Sequence, residues 1–223
     1  MENNSQEPNK SHFHKGLNHS IMIDNLINSV IGIPITVEAK KDCQMLKITG
    51  ESVLPKDKVK AFLTKKNPVA PLWIIDLYYD VEKLWGIRAD VLICQMFHET
   101  GYLTSWWSAP ERKNMAGIGV TGETSKTFMP GYEFDSKNKI YKKGYSYSTY
   151  VQAVQAHFAH MEAYVNSVYV NEAVRWDARY DVAFMVNRGK PPIIYVTQLN
   201  GRWAMSNNYG ESIEGIYNAI VKS

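Results

Sequence analysis

Residues 89–119 read ADVLICQMFHETGYLTSWWSAPERKNMAGIG, and this stretch carries the strongest local signals for the fold. Its first third places apolar side chains at helical spacings, namely Leu92, Ile93, Met96 and Phe97. That spacing predicts an apolar helix over Ala89–Thr100. Gly101 follows at the position where a left-handed C-terminal cap is expected, so the helix should end there. Glu99 then stands in the last turn of the helix.

Further helices are predicted on both sides of this stretch. Upstream, the breaks and apolar positions place a short helix at Pro55–Leu63 and another at Leu72–Leu84. Downstream, Thr149 with Gln152 three residues later forms a capping-box pattern, and apolar residues follow on one helical face. A last amphipathic helix is indicated around Ile213.

Residues 104–147 differ from their surroundings, because glycine and proline punctuate them and no helical pattern is clear. A stretch this long without a helix is uncommon in a compact domain unless it carries function. We expect a loop-rich lobe, with or without a short hairpin, against one face of the helices. The predicted fold class is α+β, mainly α, with the folded domain at residues 51–223 and a partly disordered extension at residues 1–50.

Composition excludes several classes of protein. Of the 223 residues, 45% are hydrophobic and 21% charged, which is ordinary globular usage and excludes wholesale disorder and fibrous structure. The net charge of +3 is too small to indicate a nucleic-acid binder. No apolar run reaches the roughly 18–20 residues that span a bilayer, and no secretory signal is visible. Two cysteines, Cys43 and Cys94, allow one bridge or two buried thiols, but no disulfide framework.

Glu99 has a setting that predicts a chemical role. The last turn of a helix presents unpaired carbonyl groups and the negative end of the helix dipole. Phe97, Trp106 and Trp107 are near in sequence and would exclude water. Both effects disfavour the charged carboxylate and raise its pKa, and a carboxyl group kept protonated is the general acid that glycosidic cleavage needs. The alternative from the residues alone is a surface glutamate at a helix end.

Several further motifs follow in a fixed order. They are Trp85-Gly86-Ile87-Arg88-Ala89, Glu99-Thr100-Gly101, Asn114-Met115-Ala116-Gly117-Ile118-Gly119, a helix with Tyr164 and either His157 or His160, residues 177–180, then Arg188-Gly189, Leu199-Asn200-Gly201-Arg202-Trp203-Ala204 and Tyr209-Gly210-Glu211-Ser212-Ile213. Together they resemble the bacterial and phage glucosaminidase family, which consists of peptidoglycan-cleaving enzymes. The resemblance covers roughly residues 52–223. It implies a lysozyme-like helical domain with a small loop or β lobe over an active-site cleft.

The resemblance also implies roles for individual residues. Glu99 is the catalytic acid, and Tyr209 either shapes the reacting site or anchors the final helix in the core. Asn114 either fixes the turn after the active-site helix or contacts sugar. Aromatic side chains are expected to line a sugar groove, and the candidates are Trp106, Trp203 and Tyr147. For Trp203, burial in the core is the alternative.

The second catalytic group stays open. An inverting glycosidase needs a base roughly 6.5–9.5 Å from the acid, whereas a retaining one needs a nucleophile at about 5 Å. The carboxylates of the loop lobe are Glu111, Glu123, Glu133 and Asp135. Glu123, which follows a Gly-Val-Thr-Gly turn, is favoured. Assistance by the N-acetyl group of the substrate, or transglycosylation by a hydroxyl of the sugar, would need no second carboxylate.

The expected function is that of an endo-β-N-acetylglucosaminidase acting on peptidoglycan glycan strands, as an autolysin or endolysin does. We expect a monomer without cofactor or metal, acting outside the cell or at its wall, with no nucleic-acid partner. The alternatives are a lytic transglycosylase or muramidase on the same scaffold, or a binding module for cell-wall glycan. A zinc protease motif beginning at His98 fails because position 102 is Tyr. His157 and His160 are one turn apart, but a third metal ligand is not evident.

Overall fold

The computed structural model describes residues 45–223, and the predictions made for residues 1–44 lie outside that range. Its helices are α1 (Lys56–Lys66), α2 (Trp73–Trp85), α3 (Ala89–Thr100), α4 (Tyr150–Val165), α5 (Asn171–Trp176), α6 (Tyr180–Asn187) and α7 (Tyr209–Lys222). Short 3₁₀ turns lie at Trp106–Ser108 and Val196–Leu199. The strands are β1 (Thr124–Ser125), β2 (Tyr132–Asp135) and β3 (Ile140–Lys143). The predicted α+β, mainly α fold class is confirmed.

Helix α3 lies at the centre of the core, as its apolar sequence requires. Its four apolar signal residues are fully buried: Leu92, Ile93, Met96 and Phe97. The helix packs against α2 and α7, and α2 packs in turn against α4. Gly101 ends it with a φ of 55°, the left-handed conformation that the sequence predicts. Core packing and this cap together fix where the side chain of Glu99 emerges.

Two acidic side chains fix the start of α3. Asp90 is fully buried and accepts hydrogen bonds from two backbone N–H groups of the segment before α1, at 2.8 and 3.0 Å. Arg88 donates to the same carboxylate from Nη2 at 2.8 Å. Glu82 accepts the backbone N–H of Ala89 at 2.8 Å. These contacts hold the start of α3, and the Gly101 cap holds its end.

The described chain enters the core before the predicted domain boundary at residue 51. Leu46 and Ile48 are buried, with 8% and 0% of their surface exposed. The N–H of Ile48 donates to the carbonyl of Ile194 at 3.0 Å, and its carbonyl accepts the N–H of Arg88 at 2.8 Å. These residues thus join the start of α3 to the segment that precedes the second 3₁₀ turn.

The loop-rich lobe contains a small antiparallel sheet in the order β1-β3-β2. Asp135 ends β2 and accepts the backbone N–H groups of Lys137 and Asn138 at 3.0 and 3.2 Å. An aspartate bonded to the N–H two residues on is typical of an Asx turn, and it reverses the chain into β3 here. Lys142 on β3 completes the arrangement with an ion pair to Asp135 at 2.7 Å.

The five helices predicted above lie close to their observed positions. Residues 167–180, whose sequence looks helical or turn-like, contain α5, and α6 was not assigned. Thr149 caps α4 by accepting the backbone N–H of Gln152 at 3.1 Å, as the capping-box pattern predicts. Helix α6 carries apolar side chains on its exposed side as well, at Val182, Met185 and Val186. An apolar residue on every face hides the helical period, which is why the sequence pattern missed it.

Candidate active site

The two carboxyl oxygens of Glu99 have different surroundings. Oε1 accepts hydrogen bonds from the Tyr209 hydroxyl at 2.5 Å and from the indole Nε1 of Trp203 at 3.1 Å. Oε2 lies against Gly117, where an added Cβ would come within 2.7 Å of it. Because Oε1 already accepts two donors, a proton on this carboxyl belongs on Oε2.

Burial raises the pKa of Glu99, which is the direction that its sequence setting predicts. The hydrogen bonds from Tyr209 and Trp203, and the nearby His98, act in the opposite direction and lower the pKa. The carboxyl group therefore keeps its proton to a higher pH than a free glutamate does. The same two donors are in place to stabilise the carboxylate that is left once the proton is transferred.

A chain of buried hydrogen bonds leads from the protein interior to the Tyr209 hydroxyl. Gln95 donates from Nε2 to the Tyr209 hydroxyl oxygen at 2.9 Å. The Gln95 amide oxygen lies 3.0 Å from Nε2 of His157, and Nδ1 of His157 lies 2.9 Å from the Tyr78 hydroxyl. All four side chains are at most 3% exposed. The chain therefore runs from the interior of α2 and α4 to the carboxyl group of Glu99.

The donors in this chain all point toward Glu99. Since the amide nitrogen of Gln95 donates to Tyr209, its oxygen accepts, and the proton of His157 lies on Nε2. The Tyr78 hydroxyl then donates to Nδ1. Burial lowers the pKa of His157 to about 3, so the ring is neutral and carries the single N–H that this order requires. With its oxygen occupied by Gln95, the Tyr209 hydroxyl directs its own proton at Oε1.

A cleft of about 270 Å³ adjoins the carboxyl group of Glu99. Gly117 and Trp203 lie beside this carboxyl and also line the cleft. The loop of residues 116–121 forms one wall. The opposite wall comes from α4, α6 and the segment after the second 3₁₀ turn, and its polar members are His160, Tyr164, Arg179 and Arg202. A larger hollow of about 530 Å³, between Tyr169 and Arg188, contains no part of the network around Glu99.

Trp203 lies in the cleft, whereas Tyr147 lies behind it. The Trp203 ring packs edge-on against His160, with centroids 4.9 Å apart. It also packs at a tilt against Tyr164, with centroids 5.2 Å apart. Tyr147 is partly buried between the helical core and the loop of residues 116–118. Of these two predicted sugar contacts, only Trp203 is a lining residue of the cleft.

Asn114 and Trp106 take part in the packing of the lobe. Asn114 is fully buried; its amide donates to the carbonyls of Ile118 and Tyr145 and accepts the N–H of Ile118. This geometry assigns Asn114 to the turn, one of the two roles left open by the sequence. The Trp106 ring faces two cations, Arg112 at 4.4 Å and Lys142 at 5.3 Å from its centroid, and it does not line the cleft.

Glu123 lies on the lobe, two residues beyond the cleft residue Thr121. Its carboxylate is about half exposed and pairs with Lys143 at 3.1 Å. The hydroxyl of Tyr132 donates to it at 2.8 Å, and this bond, with the lysine, holds the pKa of Glu123 below its usual range. Glu123 is thus ionised, as a base must be. Asp135, another candidate, is committed to its turn.

Sequence reasoning missed Gln95, and it named His157 in the family pattern without predicting its hydrogen-bond partners. Gln95 is the polar residue within the apolar run of residues 91–97, one turn before Glu99, and that contrast is the signal that marks it. Both ring nitrogens of His157 are bonded, so it cannot share a metal with His160. His160 instead bonds through Nδ1 to the buried Asp177 at 2.5 Å.

Comparison with known proteins gives three findings. A family model described as mannosyl-glycoprotein endo-beta-N-acetylglucosaminidase matches residues 75–222. An uncharacterized protein of Borreliella burgdorferi is 27% identical over 140 residues, which are 62% of this chain and 57% of that protein. The chain therefore matches less than two thirds of this relative. The catalytic domain of the autolysin Auto from Listeria monocytogenes is 15% identical, with a TM-score of 0.42 over 96% of this chain and 97% of that domain.

Proposed function

The chain belongs to the glucosaminidase family of glycoside hydrolases, and from this premise we propose that it cleaves peptidoglycan on the reducing side of N-acetylglucosamine. The observation that carries the proposal is the carboxyl group of Glu99. Its burial raises the pKa, its Oε1 is held by two donors, and its Oε2 is left for a substrate.

In the proposed reaction Glu99 is the general acid. Its proton passes from Oε2 to the glycosidic oxygen as the bond between that oxygen and the anomeric carbon breaks. The negative charge that develops on the carboxyl is stabilised by the Tyr209 hydroxyl and the Trp203 indole, which are already oriented toward Oε1. Donors that are in place before the reaction cost no reorganisation when the charge appears.

The second step requires water to reach the anomeric carbon. Apart from Glu99 itself, no carboxylate of residues 45–223 lines the cleft; Glu123 is the carboxylate nearest in sequence to the loop of residues 116–121 that forms one wall. We propose Glu123 as the base, carried over the bound glycan by movement of the lobe. Unchanged hydrogen exchange of residues 117–144 upon addition of glycan would contradict that movement.

The absence of a second carboxylate from the described cleft lining also favours two reactions that need only one acid. In one, the N-acetyl oxygen of the substrate attacks the anomeric carbon and water later opens the intermediate. In the other, a hydroxyl of the sugar displaces the leaving group, which is transglycosylation. The products distinguish these routes from each other and from muramidase action.

The test is digestion of purified peptidoglycan, followed by borohydride reduction and mass spectrometry of the fragments. We expect the wild type to yield reduced N-acetylglucosamine ends, Glu99→Gln to yield none, and Glu123→Gln to yield far fewer. Glu111→Gln is the matched control, because this glutamate is exposed on the same lobe. Anhydro-muramic ends would indicate transglycosylation in place of hydrolysis, and reduced muramic ends would indicate a muramidase. Binding without any product would leave a glycan-binding module.

The proposed substrate places the site of action outside the cytoplasm, at the cell wall. No helix among residues 45–223 has the length and apolar character needed to cross a bilayer. Peptidoglycan is the proposed partner. Retention of the protein on wall sacculi during sedimentation would support it, and failure to sediment at low salt would contradict it.

A further inference from the structure

The wall of the cleft formed by α6 and its neighbours carries positive charge. Arg179 and Arg202 both line it, and His160 lies beside them. Within residues 45–223, the lining includes no aspartate or glutamate. A concave surface with charges of one sign attracts ligands of the opposite sign, and the effect is larger in a cleft than on an open surface.

Arg202 is fixed in place by acceptors that carry no charge. Its Nε and Nη2 donate to the amide oxygen of Asn187 at 3.0 and 2.6 Å, and its Nη1 donates to the carbonyl of Pro191 at 2.8 Å. Burial lowers the pKa of Arg202, yet a guanidinium stays protonated in proteins. The group is therefore rigid and charged, and within residues 45–223 one N–H each of Nη1 and Nη2 has no acceptor.

Arg179 is partly buried, as Arg202 is, but it is held by fewer hydrogen bonds. It precedes α6, and its side chain has no hydrogen bond or ion pair to any residue in the range 45–223. Two acids lie two residues from Arg179 in the sequence. Asp177 is fully buried and uses its oxygens on His160 and on the backbone N–H of Arg179, and Asp181 accepts a hydrogen bond from the Tyr169 hydroxyl. The charge of the Arg179 guanidinium is thus available to a ligand.

The two guanidinium groups line the same cleft, together with Tyr164. Burial raises the pKa of Tyr164 to about 12, and the positive charges of Arg179 and Arg202 both oppose that rise. Both groups therefore act on the same hydroxyl, although they come from different segments of the chain. Guanidinium groups bind carboxylates through two parallel hydrogen bonds, which makes such a pair suited to an acidic group of a ligand.

We propose that Arg179 and Arg202 form a carboxylate subsite, through which the enzyme recognises the acidic substituents of its glycan. This inference rests on the proposed function, because it assigns the subsite to the same substrate. N-acetylglucosamine carries no charge. The carboxylates of peptidoglycan lie on the lactyl group of N-acetylmuramic acid when the stem peptide is absent, and on the stem peptide when it is present. The subsite would separate wall glycan from chitin, whose β-1,4 linkages are alike.

The experiment compares three glycans of equal length in the full-length protein. They are peptide-free peptidoglycan strands, strands that keep their stem peptides, and chitooligosaccharides. Calorimetric binding is measured in a Glu99→Gln background so that no glycan is cut. Arg179→Gln is the test variant, because no hydrogen bond or ion pair within residues 45–223 depends on its side chain. Arg175→Gln is the matched control: it removes the same charge from α5, where the side chain is 71% exposed and pairs with Glu172.

We expect Arg179→Gln to weaken binding of the carboxylate-bearing strands about tenfold, the loss of one charge-assisted hydrogen bond, and to leave chitooligosaccharide binding unchanged. A loss seen with peptide-free strands assigns the lactyl carboxylate; a loss seen only with peptide-bearing strands assigns the stem peptide. Equal losses on all three glycans, no loss on any, or the same loss in Arg175→Gln would each overturn the subsite. Cleavage by the protein with Glu99 intact is scored separately, so a wild type that binds but cuts nothing refutes the enzyme and not the subsite.

Discussion

Removing the Tyr209 hydroxyl tests the acid and its environment together. In the structure this hydroxyl donates to Oε1 of Glu99 at 2.5 Å and accepts from Gln95 at 2.9 Å. Tyr209→Phe keeps the ring that fills the core beneath α7 and removes only the oxygen. Glu99 then has the Trp203 indole, at 3.1 Å, as its remaining hydrogen-bond donor among residues 45–223.

The size of the effect follows from the charge that develops on Glu99. A hydrogen bond to a charged group contributes about 1.5–3 kcal/mol, more than one to a neutral group. The carboxyl is neutral before proton transfer and negative afterwards, so most of this energy is lost from the transition state. Since each 1.36 kcal/mol corresponds to about tenfold in rate, kcat should fall roughly 10- to 150-fold, with a smaller change in KM.

The same substitution should shift the pH dependence in a defined direction. The Tyr209 hydrogen bond lowers the pKa of Glu99 and partly offsets the effect of burial. Without it the pKa rises further, so the acid stays protonated to a higher pH. The alkaline limb of the kcat/KM profile, normalised to its own maximum, should therefore move to higher pH while the maximum falls. The other groups that act on the carboxyl, Trp203 and His98, are unchanged.

The assay is release of new reducing ends from soluble glycan strands across a range of pH. Tyr217→Phe is the matched control on the same helix, because its hydroxyl accepts from Arg88 at 3.0 Å and has no contact with Glu99. It should leave kcat and the alkaline limb in place. A Tyr209→Phe enzyme with kcat within twofold of the wild type, or an alkaline limb that moves to lower pH, would refute the reasoning.

Three further substitutions test other parts of the structure. Gln95→Glu replaces the amide that donates to Tyr209 by an acceptor, so the Tyr209 hydroxyl should turn away from Glu99 and kcat should fall at least tenfold. Full activity would mean that Gln95 does not set the orientation of this hydroxyl. Gly117→Ala adds a Cβ 2.7 Å from Oε2 of Glu99, at a φ of 63°. Steady-state kinetics should show a lower kcat, and urea unfolding should show a loss of about 1–2 kcal/mol in stability. Asp90→Asn weakens a buried ion pair at the start of α3, and urea unfolding should show a loss of about 3–5 kcal/mol; an unchanged midpoint would contradict this.

Local signals were sufficient for α3 and for its terminal glutamate. Apolar spacing and the glycine cap depend on residues within a few turns of one another, so Ala89–Thr100 was predicted with the bounds that the structure shows. The sequence setting of Glu99 also predicted the direction of its pKa shift, although the two side chains that bond its carboxyl, Trp203 and Tyr209, are distant in the sequence. Tyr209 was predicted as a site residue from its place in the family pattern, because nothing in its neighbouring residues indicates that it contacts Glu99.

The sequence alone therefore determined the mainly helical class, the central helix and a candidate acid at its end. Only the tertiary structure decided how that acid is held. Gln95 and His157 are 62 residues apart and Tyr209 is 110 residues from Glu99, and the packing of α3 against α2 and α7, and of α2 against α4, brings them into one chain of hydrogen bonds. Packing likewise places Arg179 and Arg202 on one wall. Helical periods and caps are local properties, whereas the partners of a buried polar group depend on which helix faces meet.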